Sequence, residues 1–152
     1  MAYRFIYRRT VAFSDTDLAG IVHFAQFFTY MEDCEHAFYR SLDYSVHRMN
    51  DGEDGWVGWP RIHASCDYRK PLRFEDEIEV ELIVAEVGNK TIEYRFQFRQ
   101  AQGETVVIAA EGKIIVACVR FVEGAMESVK IPQAIRDNIE QAPEEVRKSF
   151  VD

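Results

Sequence analysis

Two aspartates, a glycine and a histidine stand within nine residues of one another, directly ahead of an aromatic-rich run. They are Asp15, Asp17, Gly20 and His23, in the stretch FSDTDLAGIVHFAQFFTYME at residues 13–32. A carboxylate can act as a nucleophile or as a general base. A helix that begins just after it offers unpaired N–H groups and the positive end of its dipole. The stretch therefore has the residue types needed to attack a carbonyl group and to stabilise the oxyanion that forms.

The same residues have simpler interpretations. Both aspartates suit a turn or a helix cap, which is the interpretation that the sequence favours for Asp15. A histidine at a helix start is more typical of a cap or a pocket than of a catalyst. Asp15, Asp17 and His23 are all metal-ligand types, but no fourth ligand stands nearby. We therefore predict no metal site in this stretch.

From Phe24 onward the apolar residues recur with the period of a helix, which predicts a helix over residues 23–42. Its apolar stripe would consist of Phe24, Phe27, Phe28, Met31, Phe38 and Leu42. Glu35 falls inside that stripe, where a carboxylate needs a partner. We expect the partner to be a strand residue or a neighbouring subunit, and the sequence leaves a second catalytic role for Glu35 open.

Alternating apolar and polar residues predict strands in much of the remaining chain. The predicted strands cover residues 4–13, 61–70, 76–87, 90–100 and 104–121. Hairpin turns are expected at Gly88–Asn89 and Gln102–Gly103, a bulge at Gly112, and a short helix opening at Pro132. The order of elements predicts an α+β fold, a curved antiparallel sheet of about five strands around one long helix. One helix covers one face of such a sheet, so the other face must be polar or covered by a partner.

The composition fits an ordinary globular protein with one domain over residues 1–152. The formal net charge of −8 argues against nucleic acid and against anionic membrane surfaces as partners. No apolar run is long enough to cross a membrane, and the first residues do not resemble a signal peptide. Cys34, Cys66 and Cys118 lack the spacing of a zinc site or a CxxC pair, so we expect reduced, buried thiols in a cytoplasmic protein.

Two stretches carry a resemblance to a known family. DTDLAGIVHFAQFF matches the pattern D-x-D-x-x-G-[IV]-V followed by aromatic residues, and GWVGWPRIHASCDYRKPLRFEDEIEV is similar to the second strand and turn of the same family. On these motifs the chain resembles the 4-hydroxybenzoyl-CoA thioesterase branch of the hotdog-fold superfamily. The resemblance covers nearly the whole chain in order and length. It implies a hotdog fold and the hydrolysis of an acyl-CoA thioester to free acid and CoA, with no cofactor.

The second aspartate of the family motif is catalytic, so the resemblance implies that Asp17 is the nucleophile or the general base. The backbone N–H of Phe24, at the expected helix start, is the candidate oxyanion donor. Gly20 would let the backbone pass close to the acyl group. Some relatives carry a catalytic histidine where this chain has Phe24, so that role does not transfer to His23, which stays a pocket or site candidate.

Binding of CoA phosphates by an acidic chain requires local cations. Lys90 matches the basic residues that the family places at this hairpin, and Arg69 and Lys70 are further candidates. Trp59 is expected to line the acyl pocket or to pack between subunits. The crowd of aromatic residues favours an aromatic or short acyl group, although a long-chain acyl group on a carrier protein stays open.

The resemblance also implies a homodimer or a homotetramer, because the sites of this family lie between subunits. The segment VVIAAEGKIIVACVRF is apolar on both faces, which predicts that the last strand is buried at a subunit interface. Two alternatives stay open at this point. One is a hotdog-fold acyl dehydratase, which would pair a histidine with an acidic residue, and the other is a non-catalytic acyl-CoA-binding domain.

Overall fold

The computed structural model of the chain describes residues 2–150 and centres on one antiparallel sheet. Its five strands lie in the spatial order β1-β5-β6-β7-β4. The sheet strands are β1 (Arg4–Thr10), β4 (Arg61–Tyr68), β5 (Glu77–Val87), β6 (Thr91–Gln102) and β7 (Thr105–Ala117). Two small ladders complete the strands: β2 (Met49–Asn50) with β3 (Trp56–Val57), and β8 (Val119–Val122) with β9 (Ala125–Ser128). The helices are α1 (Gln26–Ser41), α2 (Gln133–Arg136) and α3 (Glu144–Lys148).

Helix α1 lies against one face of the sheet, as the sequence predicts, and contacts β1, β4 and β5. The residues that β5 turns toward the helix are apolar and fully buried: Ile78, Val80, Leu82 and Val84. The neighbouring strand β6 adds Ile92, Tyr94, Phe96 and Phe98 to the same core. Strict alternation in both strands therefore produced one buried face, and the antiparallel hairpin at Gly88–Asn89 sets their register. The expected α+β architecture is confirmed.

The start of α1 differs from the prediction. The expected helix over residues 23–42 begins at Gln26, because His23 to Ala25 form a turn in which the Gln26 N–H donates to the His23 carbonyl oxygen at 2.8 Å. Phe24 therefore does not extend the apolar stripe of the helix and is 64% exposed. Phe27, Met31 and Phe38 of the predicted stripe are buried.

The predicted strand over residues 104–121 is two strands. Strand β7 ends at Ala117, and β8 begins at Val119 in a separate hairpin with β9. The bulge lies opposite Phe98 and Arg99 rather than at Gly112, which stays in register with Phe96 and Cys66. A Cβ atom at Gly112 would lie 2.3 Å from the Sδ of Met31. A side chain at position 112 would therefore force Met31 to move, because α1 packs closely on the sheet here.

The face of the sheet that points away from α1 is mainly polar. Glu81, whose side chain is fully buried, accepts from both Arg4 and Arg99. The segment around α3 covers part of this face, where the Gln97 side-chain amide donates to the Ser149 carbonyl oxygen at 2.7 Å and Ile83 packs with Phe150. The second face is therefore polar and partly covered by the chain's own C-terminal segment.

The predicted subunit interface can be compared with the strand edges that the sheet leaves unpaired. Strand β7 pairs with β6 along its length and with β4 only from Ala110 to Val116, so residues 105–109 have no strand partner on their second edge within residues 2–150. Within that stretch Val106 and Ile108 are 64% and 38% exposed. The exposed edge strand is β4, in which all residues except Cys66 are exposed. Among residues 2–150, no helix has the length and apolar character needed to span a membrane.

Candidate active site

Asp17 lies in the loop between β1 and α1, whose two arms are joined by backbone hydrogen bonds. The Asp17 N–H donates to the Ile21 carbonyl oxygen at 2.9 Å, and the Gly20 N–H donates back to the Asp17 carbonyl oxygen at 3.0 Å. Gly20 has φ = +80°, a left-handed conformation that favours glycine. A Cβ atom at Gly20 would meet no protein atom within 4 Å, so within the chain it is the positive φ of the turn that favours glycine.

One oxygen of the Asp17 carboxylate is engaged and the other is available. The Oδ1 atom accepts the Ala19 N–H at 2.8 Å, which closes an Asx turn. The Oδ2 atom accepts no hydrogen bond from residues 2–150. Because Oδ1 is held, the direction of the carboxylate is set by the backbone of its own turn.

The turn that precedes α1 presents a second functional group. The Nδ1 atom of His23 accepts the Ala25 N–H at 3.1 Å within the turn ahead of the helix, and the imidazole ring stacks on the Phe24 ring at 4.6 Å between centroids. The Phe24 N–H itself has no acceptor among the residues that the structure describes. An unpaired N–H at a helix start can bind an oxyanion.

Asp17 and Phe24 open onto the same cavity, which has a volume of about 450 Å³. Its apolar walls include Val22, Phe27 and Leu72. The Tyr68 hydroxyl donates to the Phe24 carbonyl oxygen at 2.8 Å and its ring packs edge-on against Phe27. Tyr68 thus fixes the helix start from the end of β4.

Asp17 and Phe24 also line a wider and shallower depression, together with the exposed side chains of Phe13 and Leu18. The two concavities therefore share Asp17 and Phe24 as lining residues, and both have apolar side chains in their walls.

The predicted cations separate into two groups. Arg69 and Lys70 line the cavity beside Asp17, and their N–H groups both donate to the Ala109 carbonyl oxygen, at 2.8 and 3.0 Å. The Arg69 guanidinium lies 3.5 Å from Glu111, whereas Lys70 forms no ion pair within residues 2–150. These two residues are the cations that one chain brings to the site.

Lys90 and Trp59 lie at the other end of the sheet. Lys90 is in the turn between β5 and β6, where its carbonyl oxygen accepts the Cys118 N–H at 2.7 Å. Trp59 precedes β4 and donates from Nε1 to the Sδ of Met49 at 3.4 Å. Strands of this length separate their ends by about 3.3 Å per residue, so neither side chain meets Asp17 of its own chain.

Asp15 is buried and belongs to a network that the sequence did not predict. Its Oδ2 accepts the Ala12 N–H at 2.9 Å, the Arg9 guanidinium at 3.0 Å and the Tyr30 hydroxyl at 2.7 Å. Burial alone would raise the pKa of Asp15, but the hydrogen bonds from Tyr30, Ala12 and Arg9 together hold it below its usual range. Asp15 is therefore an anion that is fully paired, and part of its role is the predicted turn.

Glu35 finds the strand partner that its position in the apolar stripe requires. Its Oε1 accepts from the Arg61 guanidinium of β4 at 2.7 Å, and the residue is 2% exposed. Burial raises the pKa of Glu35 although Arg61 opposes that shift. Glu35 lines neither of the concavities that Asp17 lines.

The cysteines are free thiols, with Cys34 and Cys118 buried and Cys66 half-buried. Burial raises the pKa of the Cys66 thiol to about 12. A thiol at that pKa is a poor nucleophile near neutral pH, which leaves Asp17 as the nucleophile candidate beside the cavity.

Sequence reasoning missed Tyr68, Tyr30 and Arg9 as parts of the site. Tyr30 looked like one more aromatic residue of a helix, and Arg9 like a charge on a strand. Their partners are 44, 15 and 6 residues away in sequence, so no local pattern marks them.

Comparison with known proteins places these features in a family. Residues 19–107 match the model of the Thioesterase superfamily, so Asp15 and Asp17 lie just before the matched region. A 1,4-dihydroxy-2-naphthoyl-CoA hydrolase of Nostoc punctiforme is 34% identical over 106 residues, which cover 69% of this chain and 68% of that protein.

Solved structures agree with this assignment. The structure of a 1,4-dihydroxy-2-naphthoyl-CoA thioesterase from Synechocystis is 25% identical, with a TM-score of 0.77 over 89% of this chain and 94% of that one. The 4-hydroxybenzoyl CoA thioesterase from Pseudomonas sp. strain CBS-3 is 14% identical, with a TM-score of 0.73 over 90% of this chain and 99% of that one, a likeness of fold alone. The expected resemblance and the hotdog fold are confirmed. The chain belongs to the thioesterase superfamily and is a thioester hydrolase.

Proposed function

We propose that this protein hydrolyses an aromatic or short acyl-CoA to the free acid and CoA. The observation that carries the proposal is that one apolar cavity is lined by both Asp17, whose Oδ2 is available, and Phe24, whose N–H is unpaired within residues 2–150. Thioester hydrolysis needs a nucleophile or base on one side of the carbonyl carbon and a hydrogen-bond donor at its oxygen. This pair supplies both without a cofactor.

Catalysis follows from this placement. The thioester oxygen accepts the Phe24 N–H, which lies at the start of α1 where the helix dipole favours negative charge. Asp17 then acts by one of two routes. In the first, its Oδ2 attacks the carbonyl carbon, CoA leaves as the thiolate, and water hydrolyses the mixed anhydride. In the second, Asp17 takes a proton from water, and the resulting hydroxide attacks the same carbon.

A single turnover in ¹⁸O-labelled water separates general-base catalysis from the nucleophilic route in which water opens the anhydride at the Asp17 carbonyl carbon. General-base catalysis places ¹⁸O in the product acid in the first turnover. Attack by Asp17, followed by attack of water on the Asp17 carbonyl carbon, leaves the first product unlabelled and the label in the protein. The measurement is mass spectrometry of the acid and of the Asp17 peptide after one turnover.

The walls of the cavity support an aromatic acyl group. Phe24, Phe27 and Tyr68 contribute rings, and the volume of about 450 Å³ is in the range of small-molecule sites. The relatives named as 1,4-dihydroxy-2-naphthoyl-CoA hydrolases act on bicyclic aromatic thioesters. Arg69 and Lys70 at the rim are the cations of this chain that would meet a phosphate of CoA.

The two alternatives explain fewer of these contacts. A dehydratase would pair a histidine with an acidic residue, but within residues 2–150 the one hydrogen bond of the His23 ring is to the Ala25 N–H. Glu35, the buried carboxylate of α1, is bound by Arg61. A binding domain would need no reactive carboxylate, and here Asp17 faces the cavity with one oxygen available.

We further propose that the protein is a homodimer formed through the edge strand β4, with a homotetramer as the larger assembly. An exposed edge strand presents unpaired backbone groups to another strand, and β4 is eight residues long. Ile62 of this strand is 60% exposed and Tyr68 is 45% exposed. Pairing of β4 with a second β4 across a two-fold axis would satisfy both edges at once.

That pairing would complete the site. Two copies of β4 related by a two-fold axis run antiparallel, so the start of one strand lies beside the end of the other. The partner's Trp59, just before its β4, and the partner's Lys90, in the β5–β6 turn at the same end of its sheet, would then approach Tyr68 and Asp17 of this chain. The predicted roles of Lys90 and Trp59 in substrate binding are proposed on this basis.

A panel of acyl-CoA thioesters, followed by release of free thiol, tests the proposed function. We expect aryl thioesters such as benzoyl-CoA and naphthoyl-CoA to be hydrolysed with higher kcat/KM than a long-chain thioester such as palmitoyl-CoA. Binding without thiol release would support the acyl-CoA-binding domain instead. Release of water from a 3-hydroxyacyl-CoA, without thiol, would support the dehydratase.

A further inference from the structure

Asp15 connects the two halves of the candidate active site through its backbone. Its carbonyl oxygen accepts the His23 N–H at 2.9 Å. Asp15 is two residues before Asp17, and His23 is the residue directly before Phe24. Thr16 and Val22 form an antiparallel bridge one step further into the loop. The two catalytic groups therefore lie on opposite arms of a loop that is closed at Asp15.

The side chain of Asp15 connects that loop to the rigid core. Tyr30, which donates to its Oδ2, belongs to α1 and is fully buried, and Arg9 belongs to β1. The Arg9 guanidinium also lies 4.8 Å over the Tyr30 ring, with a second ion pair to Asp33 at 3.5 Å. One carboxylate thus joins β1, the loop and α1.

Geometry separates Asp15 from the reacting atoms. The residue is 5% exposed and lines neither the cavity nor the depression that Asp17 lines. All its contacts are to groups of the protein, and its one hydrogen-bonded oxygen has three donors. A substrate in the cavity would not touch it, so any effect of Asp15 on the reaction must act through other residues.

We infer that Asp15, held by Arg9 and Tyr30, is a positioning residue that sets the placement of the Asp17 carboxylate relative to the Phe24 N–H. The inference rests on the proposed function. The nucleophile or base and the oxyanion donor must meet one carbonyl group at the same time, and a misplacement of about 1 Å can cost about 100-fold in rate. The tip of the loop between Asp17 and Phe24 lies in solvent, where Leu18 is fully exposed. The loop therefore needs a contact with the core to hold it in place.

Two variants test the inference by a split between kcat and KM. Asp15→Asn removes the charge that Arg9 and Tyr30 bind, and Tyr30→Phe removes one hydroxyl while it keeps the ring under Arg9. We expect each variant to lower kcat for an aryl-CoA by about 10-fold or more, with KM within about threefold of wild type. A residue with a merely structural role would lower the melting temperature and leave the kcat of the folded protein unchanged.

Glu81→Gln is the matched control. Glu81, like Asp15, is a buried carboxylate that pairs with arginine side chains. Glu81, however, lies on the sheet face that points away from α1. We expect this variant to lose stability and to keep kcat within about twofold. Wild-type kcat in both Asp15→Asn and Tyr30→Phe, measured below their melting temperatures, would overturn the inference.

Amide hydrogen exchange adds a measurement that does not depend on activity. In Tyr30→Phe we expect faster exchange at residues 15–24, most of all at the His23 N–H, which donates to the Asp15 carbonyl oxygen. Exchange in β5 and β6 should stay unchanged. Unchanged protection at His23 would contradict the inference by itself. If wild type releases no thiol from any acyl-CoA, the proposed function fails, whereas an active wild type with an inactive Asp17→Asn and a fully active Asp15→Asn sinks only the positioning role.

Discussion

The Asp17 carboxylate is aimed by the turn that carries it, because Oδ1 accepts the Ala19 N–H and Gly20 adopts φ = +80° to close the turn. At the scale of single residues, the reactive group and its support are thus one local structure. Sequence motifs mark such structures well, since all the atoms involved belong to residues 17–21. Because the turn is this short, one methyl group added at Gly20 should change its conformation.

Gly20→Ala tests this dependence. An alanine in the left-handed region costs about 1–2 kcal/mol, so the turn is expected to relax toward another conformation and to redirect Asp17. We predict a loss of kcat of about 10-fold or more with a small loss of stability. Gly124→Ala is the control, since Gly124 has φ = +79° in the β8–β9 turn and equally open surroundings. Equal kcat in both variants would show that the turn does not aim Asp17.

At the scale of elements, the packing of α1 on the sheet depends on the absence of a side chain at Gly112. A Cβ atom there would lie 2.3 Å from the Met31 Sδ, so Gly112→Ala should force the Met31 side chain or the helix to move. We predict destabilisation of about 1–3 kcal/mol in denaturant unfolding, the usual cost of an overpacked core. In a chain that already carries Met31→Ala, Gly112→Ala should reduce the free energy of unfolding by less, with a coupling of at least about 0.5 kcal/mol in the double-mutant cycle. Additive losses would contradict the contact.

The helices and strands can be predicted from the sequence, but which strands lie side by side in the sheet cannot. Alternation marks β5 and β6, and glycine marks the turn between them, because both signals are local. The order β1-β5-β6-β7-β4 places the sequence-adjacent β4 and β5 far apart, and no local pattern encodes that. The sequence therefore proposes Lys90 as a contact for CoA phosphates but gives no distance between Lys90 and Asp17.

The start of α1 was misplaced for a related reason. The apolar period continues backward through Phe24, but the His23 ring accepts the Ala25 N–H and the chain turns before Gln26. A local turn held by the His23 ring therefore overrides the periodicity. The exposed Phe24 that results is part of the cavity wall, so the helix pattern fails at the proposed site.

At the scale of the whole molecule, the acidic limit of stability should depend on Asp15. Its pKa is held below the usual value of 3.8, so its contribution is complete at higher pH and is lost as the pH falls below 3.8 and through the folded-state pKa. We predict that Asp15→Asn costs about 1–3 kcal/mol at pH 7 and less at pH 3. Unfolding is measured by denaturant at one protein concentration, since dimerisation also contributes. A cost that does not change with pH would contradict the assignment of the charge.

The assembly is tested by mass and by substitution at the exposed edge. Light scattering should give a mass of two or four times 17.7 kDa. Ile62→Asp in β4 should produce monomers, whereas Val106→Asp, at a similarly exposed position outside β4, should not. Monomers from Val106→Asp alone would restore the prediction that β7 forms the interface.

A site shared between chains makes a further prediction about mixed dimers. Lys90→Ala should raise KM for an acyl-CoA with little change in kcat, and should leave KM for an acyl-pantetheine unchanged. Mixed with Asp17→Asn and allowed to exchange chains, it should yield heterodimers in which one site has both residues intact and one has neither. Recovery of low-KM activity on mixing supports the shared site, and no recovery contradicts it.

The most direct test of the account is the rate of thiol release by Asp17→Asn with the best aryl-CoA of the panel. The substitution keeps the size of the side chain and an oxygen that can accept the Ala19 N–H, so the turn and the fold should persist, as circular dichroism and the melting temperature would verify. The account predicts that kcat falls by at least about 100-fold, the low end for a positioned acid–base group. A variant that keeps more than about a third of the wild-type kcat would contradict the central claim that Asp17 carries the reaction.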